Sequence, residues 1–113
     1  MESKATAKYL RTTARKARLV ADEVRGKMVG DALGLLEFSI KKDVAKDFSK
    51  LIKSAVANMQ SKNLDVTVDA DALKIKEIYV NEGPVLKRFR AKAQGRAGPI
   101  LKKMCHISVV VSN

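Results

Sequence analysis

The sequence predicts an α+β protein from which a long, strongly basic β-hairpin projects. Three observations carry that reading. In Lys41–Gln60, Val44, Ala45, Phe48, Leu51, Ile52, Ala55, Val56 and Met59 recur at helical spacing and give one continuous apolar stripe. Leu73–Asn81 and His106–Val111 instead alternate apolar and polar side chains, the period of a half-buried strand. Between them lies Glu82–Lys103, EGPVLKRFRAKAQGRAGPILKK, with seven cations against one acid, net +6. A stretch bracketed by two strands continues both of them, so it reads as a paired arm rather than a stray loop.

The elements follow in order. Residues 3–11, SKATAKYLR, alternate as a short first strand. Thr12 or Thr13 then offers a hydroxyl cap for a helix over Ala14–Arg25, whose stripe is Ala17, Val20, Ala21 and Val24. Gly26 is the residue type that leaves a helix through the left-handed region. Val29–Phe38 fits a second helix with Asp31 near its start and Val29, Leu33 and Leu36 inward, and Ser39 offers a cap for the long third helix. Ser61–Asp71 reads as an acidic loop with a brief extended piece at Val66–Val68. In Leu73–Asn81 the alternation slips at Lys76-Glu77, the mark of a bulge. Ile107, Val109 and Val111 share the buried face of the last strand.

At 113 residues the chain is expected to be one domain, residues 1–113, with 82–103 as the arm. Its formal charge of +11 points to a polyanionic partner. The charge has two addresses. Residues 1–27 hold eight basic and three acidic side chains, 82–103 hold seven and one, and the remainder holds eight of each. The middle of the protein is thus a neutral core. One cysteine, Cys105, precludes an intrachain disulfide and suits a reducing compartment. No apolar run reaches a signal peptide's core or a membrane span, so a cytoplasmic protein without membrane insertion is expected.

Catalysis finds little footing. His106 is the only histidine and has no partner legible nearby, Cys105 reads as a half-buried strand residue, and no Cys/His spacing suits a metal. The carboxylates of Ser61–Asp71 lack the loop glycine of a calcium hand, and QGRAG lacks phosphate-loop spacing. Neither enzyme chemistry nor a cofactor or metal is expected.

Nucleic-acid binding fits better. Arg11, Arg15 and Arg18 recur at helical spacing with Lys16 beside them. A solvated face is the usual fate of such residues, but these sit at a helix start, where the macrodipole disfavours cations. Phosphate contact explains the placement, and Arg25 and Lys27 extend the basic surface. In the arm, Lys87, Arg88, Arg90, Lys92, Arg96, Lys102 and Lys103 supply the charge, and Phe89 stands between two arginines as a stacking or wedging group. Roughly nine residues per side, at about 3.3 Å each, would project on the order of 30 Å, with the turn expected near Ala91–Ala93. Like charges within it should repel one another, so the arm is expected to order fully only against a polyanion. No stacking array for single strands is legible. Folded RNA read by shape is the favoured target, duplex DNA gripped by a β-arm the competing one. A membrane-surface role for the Lys41–Gln60 helix is the remaining rival.

Here the chain resembles a known family. EGPVLKRFRAKAQGRA followed by HISVVVS, with TARKARLVADEVRGK and KLIKSAVANMQ in the expected order, is similar to the large-subunit ribosomal proteins numbered twenty-two. The resemblance implies three helices packed on a three-stranded antiparallel sheet with one long protruding hairpin. It implies a structural role in the large subunit, contact with several domains of its ribosomal RNA, help in early assembly, and neighbouring large-subunit proteins as partners. By match to the motif, Lys87, Arg88, Phe89, Arg90, Lys92, Gln94, Gly95 and Arg96 lie at or near the hairpin tip, while Arg11, Arg15, Lys16 and Arg18 face RNA at the base. Arg88, Arg90, Ala91, Lys92 and Ala93 are then expected to line the exit tunnel and meet the nascent peptide.

Overall fold

The computed structural model describes all residues except 1, 63–71, 92–94, 96 and 113. Its elements run β1 (Glu2–Leu10), α1 (Ala14–Val24), α2 (Val29–Glu37), α3 (Lys42–Lys62), β2 (Lys74–Ala91) and β3 (Ala97–Ser112). Among the described residues the strands form one antiparallel sheet in the order β1-β3-β2. The helices cover one of its faces, so the expected α+β class holds, with three helices on three strands among the described residues.

Alternation sorts the two faces. Ala5 on β1, Ile75, Ile78 and Val80 on β2, and Cys105, Ile107, Val109 and Val111 on β3 are all buried. Phe48, Ile52, Ala55 and Met59 of α3 meet that surface with no exposed area. Burying a side chain such as Phe48 contributes about 2–3 kcal/mol, which makes this stripe the main source of stability. α1 adds Ala14, Ala17, Val20, Ala21 and Val24. In α2 the buried residues are Val29, Ala32 and Leu36. Leu33, expected inward, only packs partly against the core, because Ala32 occupies the fully buried place beside it.

Local signals behave as their chemistry requires, with one exception. The Thr13 hydroxyl accepts from the Lys16 N–H at 3.5 Å and caps α1, and Gly26 follows the helix with φ 78°. Ser39 lies too early to cap α3: its Oγ accepts from the Lys41 N–H, while the Lys41 carbonyl takes the first helical bond from Ala45. The expected bulge is present, since the β2–β3 register shifts between Ile75 and Glu77. The acidic loop, with the expected extended piece at Val66–Val68, lies outside the described residues.

An edge strand must hide its unpaired backbone groups. On β2 the chain between α1 and α2 does part of this: Ile75 N–H donates to Lys27 O and Val29 N–H to Leu73 O, each at 3.0 Å. Two arginines complete it. Arg18 Nη2 donates to Val80 O at 3.1 Å, and Arg25 Nη2 donates to Ile78 O at 2.9 Å. On the opposite edge Asn58 Nδ2 donates to Lys4 O at 3.3 Å.

Beyond Cys105, β3 loses β1 and runs on with β2 alone as a two-stranded arm. The long axis of the molecule is 65 Å against 26 and 15 Å. A second register shift, between Glu82 and Val85, sets Gly83-Pro84 against the single residue Met104. Pairing continues to Ala91↔Ala97, and the turn expected near Ala91–Ala93 falls largely on residues outside those described. The two Gly-Pro pairs do not face each other, because Pro99 pairs with Phe89.

Candidate nucleic-acid interface

The two basic stretches of the sequence are one surface in space. Arg11, Thr12, Thr13 and Lys16, at the start of α1, line an open concavity of about 260 Å³ together with Leu101, Lys102 and Lys103 of the arm. Arg15 lines the adjoining cleft with Glu82, Gly83, Val85 and Lys103. Cations from opposite ends of the sequence thus converge beside the first turn of a helix, whose free N–H groups and dipole favour an anion. No ion pair forms among Arg11, Lys16, Lys102 and Lys103 and the described carboxylates, so their charge is available to an outside partner.

Along the arm the register disperses the charge. Lys102 stands opposite Leu86, Lys103 opposite Val85, Lys87 opposite Leu101, Arg88 opposite Ile100 and Arg90 opposite Gly98. No cation directly faces another in these pairs. The expected crowding of like charges is therefore relieved across the strands, where a like-charge pair would destabilise most. Lys87, Arg88, Phe89, Lys102 and Lys103 are exposed, Phe89 to 80%. Among the described residues Arg88 Nη1 reaches only its neighbour's carbonyl, Lys87 O, at 2.9 Å. Arg90 and Ala91 lie within β2, below the connection, and Lys92, Ala93, Gln94 and Arg96 lie outside the described residues. Gly95 has φ 72°, a backbone state suited to glycine.

The remaining basic residues do different work. Arg18 and Arg25 spend donors on β2 carbonyls, and Arg25 also pairs with Asp22. Sequence spacing could not separate these tethers from Arg11 and Arg15 in the same stretch. Lys27 is exposed, and its carbonyl holds β2.

At the root of the arm lies a group that spacing did not reveal. Tyr9 donates its backbone N–H to His106 Nδ1 at 3.0 Å, and the two rings meet edge to face at 4.9 Å. Tyr9 has φ 60°, the only left-handed non-glycine among the described residues, a state that costs a residue with a Cβ about 1–2 kcal/mol. Gly83 closes the other side, since a Cβ there would stand 3.3 Å from the His106 ring and 3.3 Å from the Met104 carbonyl carbon. His106 is thus a structural linchpin. Cys105 is fully buried, not half-buried as expected, and burial with nearby Asp47 pushes its thiol pKa up while Arg18 opposes the shift. On the uncovered sheet face Lys76 pairs with Glu2, which holds the Glu2 carboxyl below its usual range. Among the described residues no cluster of His, Cys, Asp and Glu could hold a metal, and no helix is long and apolar enough to cross a membrane.

Comparison with known proteins agrees with this geometry. The family described as ribosomal protein L22p/L17e matches residues 5–112. Among curated relatives, the large ribosomal subunit protein uL22 of Bdellovibrio bacteriovorus is 53% identical over 111 residues, covering 98% of this chain and 97% of that protein. Its counterpart in Ligilactobacillus salivarius is 52% identical over 110 residues, 97% and 92% of the two chains, and that of Syntrophus aciditrophicus is 49% identical over 112 residues, 98% and 97%.

Proposed function

The chain belongs to the ribosomal protein L22p/L17e family, and from that premise we propose that this structural protein of the cytoplasmic large ribosomal subunit grips folded large-subunit ribosomal RNA. The observation that carries the RNA reading is the convergence of Arg11, Lys16, Lys102 and Lys103 on one concavity beside the α1 N-terminus. Four cations that no described carboxylate neutralises, at a helix end, suit phosphate. The globular part anchors on RNA there, and the arm extends between RNA segments with Lys87, Arg88 and Arg90 meeting further phosphates. Arginine serves this best, because its fork engages two phosphate oxygens and its plane stacks on bases. The finer parts of the reading, help in assembly and lining of the peptide exit tunnel around Arg88, Arg90, Ala91, Lys92 and Ala93, rest on the family resemblance and on an arm long enough to reach inward from a surface-seated body. Neighbouring ribosomal proteins and the nascent peptide are its further partners.

The test is competition and incorporation. The protein should prefer folded large-subunit ribosomal RNA to duplex DNA in filter binding, and should cosediment with large subunits in sucrose gradients. Replacing Lys102 and Lys103 by Glu should weaken both. Equal affinity for duplex DNA would favour the DNA-architectural reading instead. For the tunnel, a photo-crosslinker at Arg90 should capture ribosome-bound nascent chains, and its failure there would remove that part alone.

A further inference from the structure

We infer that Tyr9 is a stacking platform for an unpaired nucleobase of the bound RNA, at the junction of body and arm. The inference rests on the RNA-binding reading above and adds to it a base contact beside the phosphate contacts of that junction. β1 and β3 pair at Ala7↔Ile107 and again at Leu10↔Cys105, so Lys8 and Tyr9 together stand against the single residue His106. Such a bulge re-aims a side chain. The re-aiming is held in place, because His106 Nδ1 accepts the Tyr9 N–H at 3.0 Å and keeps the backbone at φ 60°. The result is a tyrosine 60% exposed, with its ring perpendicular to that of His106. An edge-to-face contact occupies at most one face of the Tyr9 ring and leaves the other open. A tyrosine serving the core would be turned inward, and a merely solvated position would not need a left-handed bulky residue.

The surroundings name the ligand class. Lys8 precedes Tyr9, and Arg11, two residues on, lines the open basic concavity with Lys16, Lys102 and Lys103. A nucleotide seated by its phosphate among those cations can lay its base on a ring at the same junction. Stacking on an aromatic needs only the π-face of the base, so any unpaired base serves. A fixed ring also loses little conformational freedom when it binds.

The experiment uses the full chain and transcribed large-subunit ribosomal RNA. Removing one stacked base contact weakens binding about 5- to 150-fold. Tyr9→Leu should show a loss in that range, while Tyr9→Phe stays near the wild-type affinity. The salt dependence of binding should be the same in all three, because no cation has been removed. The chain contains no tryptophan, so Tyr9→Trp places a single reporter at the site. Its emission should be quenched on binding naked RNA, and that of Phe38→Trp on the α2–α3 connection should not. Tyr9→Leu binding like wild type, an altered salt slope, or quenching of the Tyr9→Trp reporter only after other ribosomal proteins are added would each overturn the inference. Failure of the wild-type protein to prefer ribosomal RNA over duplex DNA would instead strike the underlying reading.

Discussion

Arg18 holds the carbonyl of Val80 through two donors, Nε at 3.4 Å and Nη2 at 3.1 Å, so a helix arginine closes the open edge of β2. About two helical turns further along, Arg25 does the same for Ile78, two residues back on the strand. Side chains that far apart return to one face of the helix, and carbonyls two residues apart point to one side of the strand. Residues that look like part of an RNA-binding row are therefore also the clasp between helix and sheet.

Arg18→Ala should accordingly destabilise the free protein, by about 1–2 kcal/mol for a part-buried, charge-assisted bond. Arg18→Lys should recover little, since an ammonium cannot reproduce the fork. Urea titration of the isolated protein checks both. Arg11→Ala, with no such carbonyl partner, should leave the urea midpoint nearly unchanged.

RNA affinity should separate the same residues in the opposite way. Each of Arg11→Ala, Lys16→Ala, Lys102→Ala and Lys103→Ala should lower the slope of log affinity against log salt by about 1. Thermal melts at low ionic strength should hold or rise slightly, because the cluster repels itself when no anion is bound. Unchanged salt slopes for all four would place the phosphates elsewhere.

Gly83→Ala should loosen the root of the arm. The new methyl group would press on the His106 ring and on Met104 backbone, both at 3.3 Å, and the backbone cannot turn aside. A cost of about 1 kcal/mol is expected, read as faster amide exchange at Tyr9 and along Val85–Phe89, with the α3 amides little affected.

Cys105 should be silent at neutral pH and matter in alkali. Its folded pKa lies above the ordinary value of 9.0 because burial disfavours the thiolate. The protonated thiol thus favours the fold: its contribution is whole below about pH 9 and is lost as pH rises through the folded value. Native protein should resist iodoacetamide until unfolded. Between neutral and alkaline pH, the wild-type urea midpoint should fall further than that of Cys105→Ala.

Much of the molecule is local and could be read directly. The stripe of α3, the Thr13 cap, the exit at Gly26 and the slip at Lys76-Glu77 each depend on neighbours within a few residues, and each is where the spacing puts it. Leu33 and Ser39 are local too, and they depart because Ala32 takes the buried place on α2, and because one extra residue stands between Ser39 and the first helical bond of α3.

The sequence by itself determined that the excess charge resides in residues 1–27 and 82–103, and that strands bracket the second stretch, since composition and period are properties of the chain in order. Only the tertiary structure decided that these two stretches are a single surface, that Lys87, Arg88, Lys102 and Lys103 stand opposite uncharged partners, and that Tyr9 is turned outward against His106. Those outcomes depend on register, and one inserted residue at Tyr9 or at Gly83-Pro84 changes which side chains face each other across every pair beyond it. Pairings between residues almost a hundred positions apart leave no periodic trace in the sequence, because they are set by how the sheet closes over its core.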